Sequence, residues 1–146
     1  MDKIKAVFIP LNGGVTLDYR DWRYPERMKF KKESIQALAR FQKEGWKIIL
    51  YCTWPKNVLT GDFATICQKK LFGDYCINVS RIVFWEWEEI TDGVLNELAV
   101  DENIDLSKSW VLSSVVNGVC FCDVSESRLY SAPRITDVPR LIEKYC

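Results

Sequence analysis

The side chains that could carry chemistry in this chain are carboxylates, hydroxyls, lysines and thiols, because its 146 residues include no histidine. That absence excludes a Ser-His-Asp triad, a Cys-His pair and any metal site built on histidine. The six cysteines form no CxxC pair. Cys120 and Cys122 should point to one face of a strand, which fits free thiols in a reducing compartment better than a zinc site.

One candidate for binding an anion follows the apolar run at 46–53, where Thr53 is succeeded by Lys56. The hydroxyl and the ammonium group together could hold a phosphate. The alternative is that Thr53 caps a turn before Pro55, as hydroxyl side chains often do beside proline.

A second candidate is the segment at 85–89, in which two tryptophans alternate with acidic residues. In a strand, Trp85 and Trp87 would share one face, and Glu86 and Glu88 the other. On an edge strand this composition would suit a protein-binding surface, with Trp85, Trp87 and Glu88 as its contacts. The alternative is that the tryptophans pack beneath a loop.

The charge balance and the apolar runs of the sequence exclude some classes of partner and location. Twenty basic and twenty acidic residues cancel, so we expect no nucleic-acid partner and no membrane surface. The first residues lack a signal-peptide pattern, and no apolar run approaches the roughly 18 residues of a membrane-spanning helix. We therefore expect a cytoplasmic protein.

The elements that must position these side chains alternate along the chain. Periodicity and turn residues predict a long surface loop at 16–32 and one domain over residues 1–146, without an inserted cap. Such alternation predicts an α/β fold whose sheet is largely parallel and carries helices on both faces. The predicted strands are 3–9, 46–53, 77–87, 109–113, 119–124 and 129–135, and the predicted helices are 34–45, 61–72, 94–100 and 138–145.

Several short motifs in this order resemble a known family. They are Phe8-Ile9-Pro10-Leu11-Asn12-Gly13, Pro25-Glu26, Tyr51-Cys52-Thr53, Gly93-Val94-Leu95 and the run from Ile104 to Val111. The pattern resembles the haloacid-dehalogenase (HAD) superfamily, and within it the capless phosphatases that act on heptose bisphosphate and histidinol phosphate. The resemblance implies a Rossmann-like, three-layer α/β/α fold of the HAD type with no cap domain.

The same resemblance implies that the family's catalytic groups are missing here. Those enzymes use an aspartate nucleophile, an aspartate acid/base, a phosphate-binding hydroxyl and lysine, and carboxylates that hold Mg²⁺. Thr53 matches the hydroxyl. The other positions are occupied by Pro10 (nucleophile), Asn12 (acid/base), Glu89 (lysine), and Ser114 and Gly118 (metal carboxylates). We therefore expect no catalytic residue, no bound metal and no Mg²⁺ cofactor.

Taken together, these residues predict a non-catalytic HAD-like protein, a pseudophosphatase. It would act by binding a protein partner, or through a regulatory contact, and a second copy of the chain is one such partner. One alternative is a protein that binds a phosphometabolite or other small molecule through Thr53, Lys56, Asn12 and Gly13. The other is a phosphomonoester hydrolase with an altered active site.

Overall fold

Parallel strands form the centre of the protein. The computed structural model describes residues 2–11, 28–53, 62–85, 92–115, 118–126 and 128–145. Its six strands are β1 (Ala6–Pro10), β2 (Lys47–Cys52), β3 (Arg81–Phe84), β4 (Trp110–Val115), β5 (Gly118–Asp123) and β6 (Leu129–Ala132). They form one sheet in the order β3-β2-β1-β4-β5-β6. The first four strands run parallel, whereas β5 and β6 are antiparallel to their neighbours. The expectation of a largely parallel sheet is therefore confirmed.

Helices cover both faces of the sheet because side chains along each strand alternate between two apolar clusters. They are α1 (Lys32–Lys43), α2 (Phe63–Tyr75), α3 (Asp92–Glu102) and α4 (Val138–Tyr145). In β1, Val7 and Ile9 pack on the face covered by α1, α2 and α4, while Ala6 and Phe8 pack on the face covered by α3. This arrangement confirms the predicted Rossmann-like, three-layer α/β architecture.

Most predicted boundaries shift by a few residues, and two of these shifts have a cause visible in the backbone. The strand expected at 77–87 begins only at Arg81, because Cys76 adopts a left-handed conformation (φ 56°) and the Ile77 N–H donates to the Leu71 carbonyl oxygen (3.1 Å). The left-handed residue and this hydrogen bond together end α2. Residues 86 and 87 of the predicted strand lie outside the described residues. The strand expected at 109–113 extends to Val115, where it pairs with Gly118. Consequently β4 and β5 form a hairpin.

Within the described ranges, no helix has the length and apolar character needed to cross a bilayer.

Candidate functional site

The carboxyl ends of the parallel strands bring several of the predicted site residues to one edge of the sheet, including Ser114 near the end of β4. Pro10 is the last residue of β1, Thr53 follows β2, and Trp85 follows β3. The Trp85 N–H donates to the Cys52 carbonyl oxygen (3.0 Å), which extends the pairing of β3 with β2 by one residue. Open α/β sheets generally place their ligands at this edge. It is therefore the candidate functional site.

Pro10 is unusual there, because β1 is paired on both sides and proline cannot donate a backbone hydrogen bond. The Lys47 N–H donates to the Lys5 carbonyl oxygen (3.0 Å), so residues 5, 7 and 9 direct their backbone groups towards β2. The backbone groups of Phe8 and Pro10 are therefore directed towards β4. The register places Val111 opposite Phe8, so the Leu112 carbonyl oxygen lies where it would accept from the N–H of residue 10. With proline at that position, the sheet supplies no donor.

Tyr51 provides the missing donor. Its hydroxyl donates to the Leu112 carbonyl oxygen and lies 3.5 Å from the Ser113 hydroxyl. Tyr51 is the register partner of Pro10 on β2, and Leu112 belongs to β4 on the far side of β1. The tyrosine side chain must therefore cross the end of β1 beside Pro10. The ring is 1% exposed, and this burial raises the pKa of Tyr51 more than the Ser113 contact lowers it.

Trp85 extends this packing. Its ring stacks at 6.5 Å from that of Tyr51 and at 6.4 Å from that of Phe8, measured between centroids. The side chain is half-buried and joins the apolar cluster beneath α3. This position corresponds to the packing alternative for Trp85, although β3 is indeed an edge strand. Its use as a contact for a partner stays a prediction.

Gly118 and Ser114 lie in the β4–β5 hairpin. Ser114 is the register partner of Val119, and Gly118 that of Val115. Gly118 has φ of +149°, and a Cβ atom placed there would lie 2.3 Å from the Ala132 carbonyl oxygen. A side chain at position 118 would therefore collide with the backbone of β6. The structure thus demands glycine at a position where the resemblance implies a metal-binding carboxylate.

The remaining predicted site residues lie outside the described residues. They are Asn12, Gly13, Lys56, Trp87, Glu88 and Glu89. Thr53 is described and half-buried. Among the described residues, no group of three or more His, Cys, Asp or Glu side chains is arranged to hold a metal ion.

Sequence reasoning missed Tyr51. The signal was present: the tyrosine directly follows the aliphatic run Ile48-Ile49-Leu50, and a proline ends the neighbouring apolar strand. A proline in a central strand leaves an acceptor on the adjacent strand, so a buried donor nearby is expected. Identifying that donor required the strand order and the register.

Three grooves lined by described residues lie away from this edge. The largest, about 410 Å³, includes Trp46, Lys47 and Phe72 at the amino ends of the parallel strands. The others, about 320 and 260 Å³, border α2 and α3 respectively. Neither Pro10 nor Thr53 lines any of the three.

Three comparisons with known proteins were informative about the fold only. No protein-family model matches the sequence, and no curated protein matches it. Among solved structures, the chain is similar to a protein described as a HAD-like phosphatase from Mesorhizobium loti, with a TM-score of 0.58 and 12% identity over 75% of this chain and 62% of that one. The chain has a HAD-like fold. At this identity the likeness concerns the fold alone.

Two structures of an RNA repair complex, Pnkp1/Rnl/Hen1, are more distantly similar. Both have a TM-score of 0.45, with 15% and 16% identity over 68% and 73% of this chain. The matched regions are 32% and 37% of those chains. This chain therefore spans less than two thirds of the length of each of these three structures.

Proposed function

We propose that this HAD-like chain does not hydrolyse phosphate esters through an aspartyl phosphate and acts instead by contact with a protein partner. One observation carries the proposal. The end of the central strand, where the resemblance implies the nucleophile, is Pro10, and the Tyr51 side chain crosses beside it to reach Leu112.

The chemistry of covalent phosphoryl transfer supports this proposal. Proline offers no atom that could attack phosphorus, and in subtilisin the loss of the nucleophile alone lowers kcat by roughly a millionfold. A phosphoryl group at this edge would also have to share the space with the tyrosine. The Tyr51 phenol is held neutral by burial, which raises its pKa, so it is no ready nucleophile at neutral pH.

A phosphatase assay tests the proposal directly. The purified protein is incubated with p-nitrophenyl phosphate and Mg²⁺, beside Thr53→Ala and an active HAD phosphatase as the positive control. We expect the wild type and Thr53→Ala to release p-nitrophenol at the same background rate. Turnover by the wild type that Thr53→Ala abolishes would overturn the proposal, because the hydroxyl would then be serving a working site.

A phosphometabolite is the second candidate ligand, favoured by the position of Thr53 at the carboxyl edge. A thermal-shift screen with phosphate, sugar phosphates and nucleotides addresses it. A ligand present at one hundred times its dissociation constant adds about 2.7 kcal/mol to stability. Stabilisation by one compound class that Thr53→Ala removes would favour this ligand-binding function over a purely protein-binding one.

The proposed setting is the cytoplasm. Five described cysteines are free thiols, of which Cys52 and Cys67 are buried. Free thiols persist in reducing compartments. The balanced formal charge of the chain fits a protein or small-molecule partner better than a nucleic acid.

A further inference from the structure

Strand β6 lies at one edge of the sheet, and its backbone directions follow from the strands beside it. The Val124 N–H donates to the Ser109 carbonyl oxygen (3.0 Å). Because backbone groups alternate in direction along a strand, Cys122 and every second residue of β5 therefore bond to β4. The alternate residues of β5, Val119 and Phe121, bond to β6. Their register partners Tyr130 and Ala132 therefore direct their backbone groups back towards β5.

Leu129 and Ser131 consequently direct their N–H and C=O groups away from the sheet. An independent observation agrees, since the Ala132 carbonyl oxygen lies 2.3 Å from the Cβ position of Gly118 and so points towards β5. No strand in the described part of the chain pairs with the outer side of β6. Such an edge is a template for adding another strand.

Apolar side chains flank this edge on both faces of the sheet. Leu129 is 70% exposed on one face. On the other, Tyr145 of α4 is 46% exposed and stacks on Tyr130 with centroids 4.2 Å apart. Exposed apolar groups beside an open edge are typical of an interaction surface.

The opposite edge of the sheet, at β3, carries a charged side chain that takes part in ion pairs. There the Arg81 guanidinium lies 3.9 Å from the Asp101 carboxylate and 3.8 Å from that of Glu102. Charged side chains along an edge strand oppose pairing with another chain. The edge at β6 is therefore the better candidate for association.

We propose that β6 pairs antiparallel with β6 of a second copy of this chain, about a twofold axis beside Tyr130. In this register Leu129 of each copy lies opposite Ser131 of the other, and the outward groups form four backbone hydrogen bonds. Tyr130 faces its own counterpart, which brings the Tyr130–Tyr145 stacks of the two copies together. The two Leu129 side chains become diagonal neighbours, within reach of each other.

A second copy fits this edge better than an unrelated strand does. Any added strand would satisfy the outward groups of Leu129 and Ser131. A copy of the same chain also brings its own Tyr145, which covers the partly exposed Tyr145 opposite. Twofold interfaces are self-complementary in this way, with the same patch contributed by both subunits.

The competing antiparallel register centred on Ser131 is disfavoured. It would place Leu129 opposite Pro133, which has no N–H, and Arg128 opposite Arg134. Like charges directly opposite each other destabilise a strand pair. In the proposed register Arg128 faces Ala132 instead.

The test is the mass of the protein in solution, measured by analytical ultracentrifugation over a range of concentrations. The chain has a mass of 17.0 kDa, and the wild type is expected to approach twice that mass as concentration rises. Leu129→Lys places a charge at the edge and is expected to raise the dissociation constant at least tenfold. Ser131→Glu is a second edge variant with the same expected effect.

Phe72→Lys is the matched control, because Phe72 is 64% exposed and lies in a groove remote from β6. It is expected to leave the dimer intact. A wild type that stays monomeric at all concentrations would overturn the proposal. So would a dimer that survives both edge variants, or one that Phe72→Lys dissociates. Circular dichroism confirms that each variant is folded, and the result is independent of any phosphatase activity.

Discussion

The substitution Tyr51→Phe probes the hydrogen bond that replaces the missing N–H of Pro10. It removes the donor to the Leu112 carbonyl oxygen and keeps the ring and its stacking on Trp85. A net hydrogen bond contributes roughly 0.5–1.5 kcal/mol, and leaving a buried acceptor unsatisfied costs about 1–3 kcal/mol. Leu112 is fully buried, so water cannot replace the hydroxyl. We expect a loss of about 2 kcal/mol in the free energy of unfolding, equivalent to roughly 4–8 °C in Tm.

The decisive measurement combines this change with Pro10→Ala. Alanine restores an N–H to residue 10, where the strand register directs it to the Leu112 carbonyl oxygen. Tyr51→Phe should therefore cost at least about 1 kcal/mol less in the Pro10→Ala protein than in the wild type. The packing energy of the proline ring cancels in this double-mutant cycle, because neither of the two Pro10→Ala proteins has that ring.

Urea unfolding followed by circular dichroism gives the four free energies. Tyr75→Phe is the control, since Tyr75 is 43% exposed and its ring contact with Phe30 is kept. It is expected to change stability by less than about 0.5 kcal/mol. The reasoning fails if Tyr51→Phe is equally harmless, or if its cost is the same with proline and with alanine at position 10.

Three further changes have expected outcomes measurable in the same way. Gly118→Ala should destabilise the protein by about 2–4 kcal/mol, because its Cβ would lie 2.3 Å from a backbone oxygen at a φ of +149°. Gly73→Ala, which has open space within α2, should stabilise it by about 0.5–1 kcal/mol. Ser109→Ala should cost about 1–3 kcal/mol, because the Ala6 N–H loses its acceptor at 3.0 Å. Burial raises the pKa of Cys67 from 9.0 to about 12. The unfolded thiol therefore ionises first, and stability should fall by up to about 1.4 kcal/mol per pH unit between those values, less steeply in Cys67→Ala.

Most elements of the fold could be predicted from the sequence, because apolar residues form a continuous run in a buried strand and recur every three to four residues in an amphipathic helix. The run 46–53 and the helix at 138–145 illustrate both cases, and the helix has the predicted bounds. The region at 77–80 shows the limit of this reasoning. Ile77 and Val79 are apolar and buried, yet they pack as an irregular segment because the end of α2 determines their backbone bonds.

The site was harder to predict, because its organisation depends on which strands are neighbours. The resemblance implied that Pro10 occupies the position of a nucleophile, which stays a prediction, and it assigned no role to Tyr51. The interaction of Tyr51 with Leu112 joins residues 61 positions apart. It becomes necessary only once β1 lies between β2 and β4, because only then does the proline leave an acceptor without a donor.

Pro10 and Gly118, which stand where the resemblance implies acidic residues, each fit their neighbours in this structure. The backbone of β4 tolerates proline in the central strand because Tyr51 donates in its place. Gly118 is held to glycine by the neighbouring Ala132 carbonyl oxygen. A carboxylate at position 10 would be buried beside the Tyr51 ring, at a desolvation cost. A carboxylate at position 118 would break the β5–β6 pairing. The residues at positions 10 and 118, where the resemblance implies acidic groups, are thus each supported by their own neighbours, as the proposed non-catalytic function requires.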